Sequence, residues 1–344
     1  MNVEKPDNPL RKTLALLGVL IYRLKLAKLV IRLSPNRVRT LLYHAVDDQP
    51  NPYTDGLSVS VSPKTFAANL DYFASHYNVI PVSAVEEGTL PRSPLLITFD
   101  DGYTSVHQHA VPELQKRSLP ACVYLIGRAV QGELVWVNLL NYALNEHAKT
   151  TRDALSSFPD LASLKRREDI IAQIQHFYTP SEIESVCKTV YAAIDVPEEH
   201  HLYSNPEQIV AMQEAGIDFG FHTQDHYNLG LCNEQELKAQ FNRESIDSIL
   251  SSNTFAYPFG LFSTQAMKEA EKHQYGRLMT VGNNNNLLSP LHLDRTEVFT
   301  AEAASVFAQL EVVEPMIAWL RRIFRSSTIS PAVASDFDVE KKAV

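Results

Sequence analysis

Cysteine is scarce in this chain: Cys122, Cys187 and Cys232 are the only three in 344 residues. Their odd number and wide spacing exclude a disulfide framework and a zinc-ribbon pattern, so any metal must be held by imidazole and carboxylate. Long apolar runs are also lacking. The uninterrupted run at residues 13–22 is ten residues, about half of what a bilayer-spanning helix needs. No small-residue cleavage site follows it, so secretion is not supported, and the expected location is cytoplasmic or peripheral at the inner membrane. Neither a low-complexity tract nor an internal repeat is present, as befits a globular chain. Acidic residues are sparse at the amino end, where residues 1–40 hold nine Lys/Arg against two acids. With a formal total of −9, that net of +7 leaves −16 on the remaining 304 residues. A body so acidic argues against nucleic-acid binding.

The length fits about two domains, or one α/β barrel with extensions. Arg39–Val46 reads as a buried strand that meets a histidine at His44, and Ser62-Pro63 opens a helix with a cap and a first-turn proline. Short strands follow at Val79-Ile80, Leu95–Phe99, Ala121–Ile126, Ile217–Phe221, Phe255–Tyr257 and Leu291–Val298. Strands that alternate with helices predict a parallel sheet, open or closed as a barrel. Residues of about 133–200 look helical and polar, and read as an inserted helical subdomain. Ser204–Glu207 reads as a capping box for the helix that ends near Gly216. The organisation expected is a basic amphipathic helix over 1–38, a body over 39–300, helices over 301–325 and a mobile tail over 326–344. In the first segment Lys25, Lys28 and Arg32 share one helical stripe, with Leu26, Leu29, Val30 and Leu33 on the other side. Such a helix lies in a membrane interface or packs on its own core. A second basic amphipathic helix covers Met316–Arg325.

Chemistry is carried by Thr98-Phe99-Asp100-Asp101-Gly102, directly after an apolar strand. Adjacent carboxylates repel, and a cation or a shared proton must offset the repulsion unless the pair is only an Asp-Gly turn. His222 and His226, four apart after another strand, would complete with Asp101 a set of two imidazoles and one carboxylate. That set leaves coordination positions open, as a catalytic metal requires. Zinc suits it best, while nickel, cobalt and iron accept the same ligands.

Thr98–Gly102, His222-Thr-x-x-His226 and Tyr257-Pro-Phe-Gly260, in that order and spacing, resemble the NodB homology domain of the metal-dependent polysaccharide deacetylases, carbohydrate esterase family four. Leu42-Tyr-His44-x-Val46 further resembles the poly-N-acetylglucosamine deacetylase subgroup. The resemblance runs from about Arg39 to Val298, with 133–200 as an insertion. It implies a deformed (β/α) barrel that removes an acyl group, usually acetyl, from an amino sugar. Asp100 would be the general base, Asp101, His222 and His226 the metal ligands, and His44 the general acid. The backbone N–H of Phe259 would serve the oxyanion. Tyr257, Pro258 and Trp136 are the expected substrate contacts, with packing as an equal reading for Trp136. One departure is Ala256, which stands where many members carry an arginine. Arg295 is the expected substitute that keeps Asp100 ionised, with pairing to Asp294 or Glu297 as its plainer role. His292 competes with His44 as the acid. The expected substrate is an N-acetylated saccharide of a bacterial surface glycan. A lipid-linked sugar or lipopolysaccharide precursor is the alternative, and a non-catalytic carbohydrate-binding module is the reading from another class.

Overall fold

The structure is a computed structural model that describes residues 9–88, 90–281 and 291–325, without the side chains of 321–325. The expected tail and the Asn283–Asn286 loop lie outside the described residues. Ten strands are present among these residues: β1 (Arg39–Tyr43), β2 (Ala45–Val46), β3 (Ser60–Val61), β4 (Asn78–Val79), β5 (Pro94–Phe99), β6 (Ala121–Leu125), β7 (Ile217–Phe221), β8 (Thr254–Ala256), β9 (Arg277–Val281) and β10 (His292–Glu297). All pairings between these strands are parallel. β1 pairs with β10 on one side and β5 on the other, which closes β1, β5, β6, β7, β8, β9 and β10 into a seven-stranded barrel. β4 attaches to β5 outside the closure, and β2–β3 form a separate small sheet.

Alternation along each strand divides the apolar residues between two cores. Leu96, Cys122, Tyr124, Ala256 and Met279 fill the barrel, while Leu95, Ile97, Phe99, Val123 and Phe221 pack outward under the helices. Gly220 faces the barrel interior, where a Cβ would stand 2.5 Å from the Tyr124 ring. Only glycine leaves Tyr124 the room to lie across the barrel. From Leu96, steps of two lead through Thr98 to Asp100, which therefore emerges at the carboxyl end of the barrel. Barrel enzymes place their chemistry at that end.

Between β6 and β7 the chain is helical, from Gly127–Val130 to Pro206–Glu214, and the expected insertion falls on the helices from Trp136–Glu146 to Pro180–Ala193. Ser62 caps its helix by accepting from the Thr65 amide at 3.1 Å, and Pro63 takes the first turn. The second cap differs from expectation by one residue. Asn205, not Ser204, is the cap, and its box partner is Gln208. Proline at 206 fixes that frame, because it occupies the first helical position.

The amino-terminal helix is broken in two. Helix α1 (Pro9–Arg23) ends and α2 (Ala27–Leu33) restarts across Lys25, whose φ is +60°. The Leu26 amide reaches the Ile21 carbonyl at 3.2 Å and the Lys25 amide reaches that of Tyr22 at 2.9 Å. This is the double bond pattern of a left-handed helix stop, made here without glycine. Helix α1 buries Leu14 and Gly18 against the 303–313 helix, where a Cβ on Gly18 would meet that of Ala308 at 2.5 Å. The 303–313 helix is tied to β1 by Arg39, which gives Glu311 two hydrogen bonds of 2.7 and 2.9 Å in a buried pair that Tyr77 joins.

Candidate active site

Asp100 extends β5, its amide bonded to the Tyr43 carbonyl at 3.0 Å. Asp101 then turns the backbone into the left-handed region, at φ +72°, and Gly102 follows at +75°. That turn sends the two carboxylates to different partners. Asp100 receives both terminal nitrogens of Arg295 at 2.6 Å, in a fully buried fork-to-fork pair. Arg295 also donates to Thr98 Oγ1 and lies 5.4 Å from the centre of the Tyr124 ring. Burial alone would raise the Asp100 pKa. The charge and hydrogen bonds of Arg295, with His222 and His44 nearby, outweigh it and hold the carboxyl below its usual range.

Asp101 faces the histidines. His222 Nε2 and His226 Nε2 are 3.2 Å apart, and Asp101 Oδ1 lies 3.6 Å from the first and 3.4 Å from the second. A cation with ligands at 2.0–2.1 Å in tetrahedral array would set these edges at roughly 3.3–3.4 Å. His222 Nδ1 lies 2.8 Å from the Ala256 carbonyl, which fixes it as the donor nitrogen and leaves the Nε2 lone pair aimed at the centre. Asp101 Oδ1 is buried and has no hydrogen-bond partner. Burial, then the neighbouring Asp100, push Asp101 up to about 7. Burial lowers both imidazoles. Neutral imidazoles and an orphaned carboxylate oxygen are what a divalent cation satisfies, and the three residues fit one. Adding zinc to metal-free protein at about 100 times its dissociation constant should therefore stabilise the fold by about 2.7 kcal/mol. Thermal melts with and without EDTA check this. An unchanged midpoint would rule the site out.

Among the described residues, ten non-glycine residues have left-handed backbone, and four of them are here: Asp101, Thr223 (φ +66°), His226 (+61°) and Phe259 (+57°). For β-branched Thr223 this conformation is costly, and its hydroxyl accepts the His226 amide at 3.0 Å. Strain concentrated in this way marks a site whose geometry is held by its surroundings. The Phe259 ring packs 4.5 Å from that of His226.

His44, half-buried at the end of β1, lies close enough to Asp100 to feel its charge. Burial nevertheless pushes its imidazole down to about 3, so it is neutral at rest. His292 lines the same cleft as His44, but from the outer side of β10. It sits three residues before the inward-facing Arg295 on β10, and so points outward. There its ring stacks on Tyr257 and Phe262, 6.0 Å from each.

Three expected substrate contacts are corrected. Tyr257 is wholly buried behind the strand and stacks on Phe262, because strand parity turns it outward from the barrel. Pro258 is buried in the short turn that carries Phe259. Trp136 is buried beneath the site, and its indole N–H donates to the His226 carbonyl at 2.9 Å. All three support the site, and none offers a face to a sugar. Another group went unnoticed in the sequence. Tyr103 lies beside Asp101 and accepts from Asn138 at 3.1 Å, and Asn138 in turn accepts from Tyr203 at 2.7 Å. The available signal was Asn138, a polar residue inside an apolar helix.

A cleft of about 1270 Å³ contains His44, Asp100, Asp101, His222, His226 and Phe259. It continues past β10 to Arg11, Ala15 and Val19 of α1 and to Pro315 and Ala318.

A closed parallel barrel with a buried two-histidine, one-aspartate cluster at its carboxyl end defines a class of hydrolase-type sites. The family model for polysaccharide deacetylase matches residues 87–278, and the chain belongs to that family. Among curated proteins it resembles Bacillus subtilis YxkH, assigned by name to the polysaccharide deacetylases, with 22% identity over 252 residues. That alignment covers 70% of this chain and 63% of YxkH, so the chain spans less than two thirds of that relative's length. Among solved structures, the Streptococcus pyogenes deacetylase PplD in complex with acetate superposes with a TM-score of 0.52 at 17% identity. That match covers 81% of this chain and 99% of PplD. IcaB from Ammonifex degensii gives a TM-score of 0.50 at 18% identity, over 81% and 99% of the two chains. These likenesses concern the fold.

Proposed function

We propose that the chain hydrolyses the N-acetyl group of an amino sugar in a bacterial surface glycan or its precursor. The observation that carries this reading is the division of the aspartate pair, with Asp100 locked to Arg295 and Asp101 turned to the two histidines. A divalent cation at Asp101, His222 and His226, most simply zinc, would polarise the acyl carbonyl and acidify the attacking water. Asp100, kept ionised by Arg295, takes the proton from that water as its oxygen bonds to the carbonyl carbon. The Phe259 amide is the donor for the developing oxyanion. When the carbon–nitrogen bond breaks, the amine needs a proton and His44 supplies it. Because His44 is neutral at rest, it must first receive that proton, and Asp100 is the neighbour whose charge already acts on it.

Mass spectrometry of acetylated glycans incubated with the metal-loaded protein tests the activity through loss of an acetyl group. Loss abolished by EDTA is the expected result. A protein with neither bound metal nor acetate release would be a binding module instead. Replacing His44 with Ala should cut turnover by about 10²–10⁴, the usual worth of a positioned acid or base. Wild-type turnover in that variant would remove His44 from the mechanism. The extension of the cleft to α1 favours a second substrate reading, in which the saccharide is linked to a lipid.

A further inference from the structure

The geometry points to α1 and α2 as a docking surface for an anionic lipid bilayer. The two helices bury one narrow stripe, Leu14 and Gly18 in α1, then Ala27 and Ile31 in α2. Leucines point the other way: Leu16, Leu17 and Leu20 on the first, Leu24 in the break, Leu29 and Leu33 on the second. Leu16 and Leu33 are 71% and 73% exposed, so most of each side chain is in water. If the helices served only to cover the core, those leucines would be inside. At about 100° per residue the exposed α1 leucines form one continuous stripe opposite the buried one. In α2, Lys28 and Arg32 stand beside Leu29 and Leu33 on the outer side, not across the helix from them. The surface is thus apolar and cationic together, the composition that seats a helix at the level of lipid headgroups.

Charge selects the occupant. No Asp or Glu occurs between residues 8 and 46, a stretch with eight Lys/Arg. Arg11 is held by Glu314, and Arg37 and Arg39 by Glu311. Arg23, Lys25, Lys28 and Arg32 are exposed and, among the described residues, pair with no carboxylate. A second copy of this acidic chain would have to bring a complementary acidic and apolar face to them, whereas an anionic membrane offers both kinds of contact everywhere. Trp319 and Met316 are also exposed on the adjoining Glu314–Arg325 helix, and the sequence adds Arg321, Arg322 and Arg325 there. Residues Ala303–Leu320 have the length and mean hydropathy, 1.3, of a membrane span, but half of that surface is buried. The arrangement is one that lies on a bilayer. The cleft runs from the candidate site to Arg11, Ala15 and Val19 on the flank of α1 beside this face, so a saccharide held by a lipid at the bilayer would have a short way to the site. That corollary rests on the proposed deacetylation, while docking itself does not.

Vesicle co-sedimentation tests the docking on the full chain and needs no turnover. Vesicles of phosphatidylcholine with phosphatidylglycerol should bind the protein in a salt-sensitive way, and phosphatidylcholine alone should bind it weakly. Lys28→Glu and Arg32→Glu should each weaken binding by about fivefold or more. Leu16→Glu with Leu20→Glu should abolish it, with circular dichroism unchanged. Hydrolysis of a soluble acetylated saccharide should be unaffected in all three variants. Absence of binding to anionic vesicles would overturn the proposal. So would binding that ignores these substitutions, or light scattering that shows a dimer dispersed by Leu16→Glu.

Discussion

Changing Asp100 to Asn should leave zinc bound and turnover lower by about 10²–10⁴, whereas Asp101→Asn should lose metal and activity together. The substitutions are chemically the same and adjacent in sequence, so the difference in outcome comes from geometry. Asp100 is engaged by Arg295 through both oxygens at 2.6 Å. Its amide counterpart keeps the shape and loses the basicity. Asp101 presents an unpartnered oxygen to two imidazole nitrogens 3.4 and 3.6 Å away. An amide there weakens the only anionic ligand of the three. Metal content by atomic absorption, set beside kcat, separates the two roles. Equal loss of metal in both variants would mean that the aspartates act as one ligand pair and that the division is wrong.

Arg295→Met should destabilise the protein by about 3–5 kcal/mol near neutral pH, the usual cost of breaking a buried pair from one side. The loss should depend on pH. In the wild type Asp100 is held below its unfolded value of about 3.9, so its contribution is complete above that pH and lost as pH falls further. In the variant, burial acts without its counter-charge and raises Asp100. Stability is then fullest at low pH and drains away as pH rises through the new value. The gap between the two proteins should widen upward from about pH 4. Urea unfolding of metal-free protein across pH measures that gap. A gap independent of pH would assign Arg295 a packing role only. Arg295→Lys should recover part of the stability and little turnover, because an ammonium cannot grip both oxygens at once.

Much of this site was legible because charged and imidazole side chains at the ends of apolar strands have few structural uses. Asp100, Asp101, His222 and His226 come together from loops more than 100 residues apart, and His44 joins them from β1. Arg295 was legible as a partner for Asp100 but not decided, since its neighbours Asp294 and Glu297 offered plainer pairings along the chain. The barrel's parity decided it. The same parity shows why Tyr257 was misread: with Ala256 inside the barrel, the next residue must face out, whatever its chemistry. Trp136 and Tyr103 were opaque for a different reason. Their partners, the His226 carbonyl and Asn138, lie far along the chain, and an aromatic residue carries no local mark of what its polar atom will reach. The break at Lys25 was equally hidden. The stop is made by backbone hydrogen bonds and a left-handed lysine, where a glycine would have announced it.

The helical segment between β6 and β7 would conventionally be regarded as decoration on a barrel that works without it. Its Trp136–Glu146 helix says otherwise, since Trp136 holds the loop of His226 and Asn138 holds the tyrosine beside Asp101. Its farther Arg167–Phe177 helix reaches the same loop, since the Gln175 carbonyl accepts from the Asn228 side chain at 3.0 Å, two residues past His226. Excising or transplanting that segment would therefore be a lesion of the footing of Asp101 and His226.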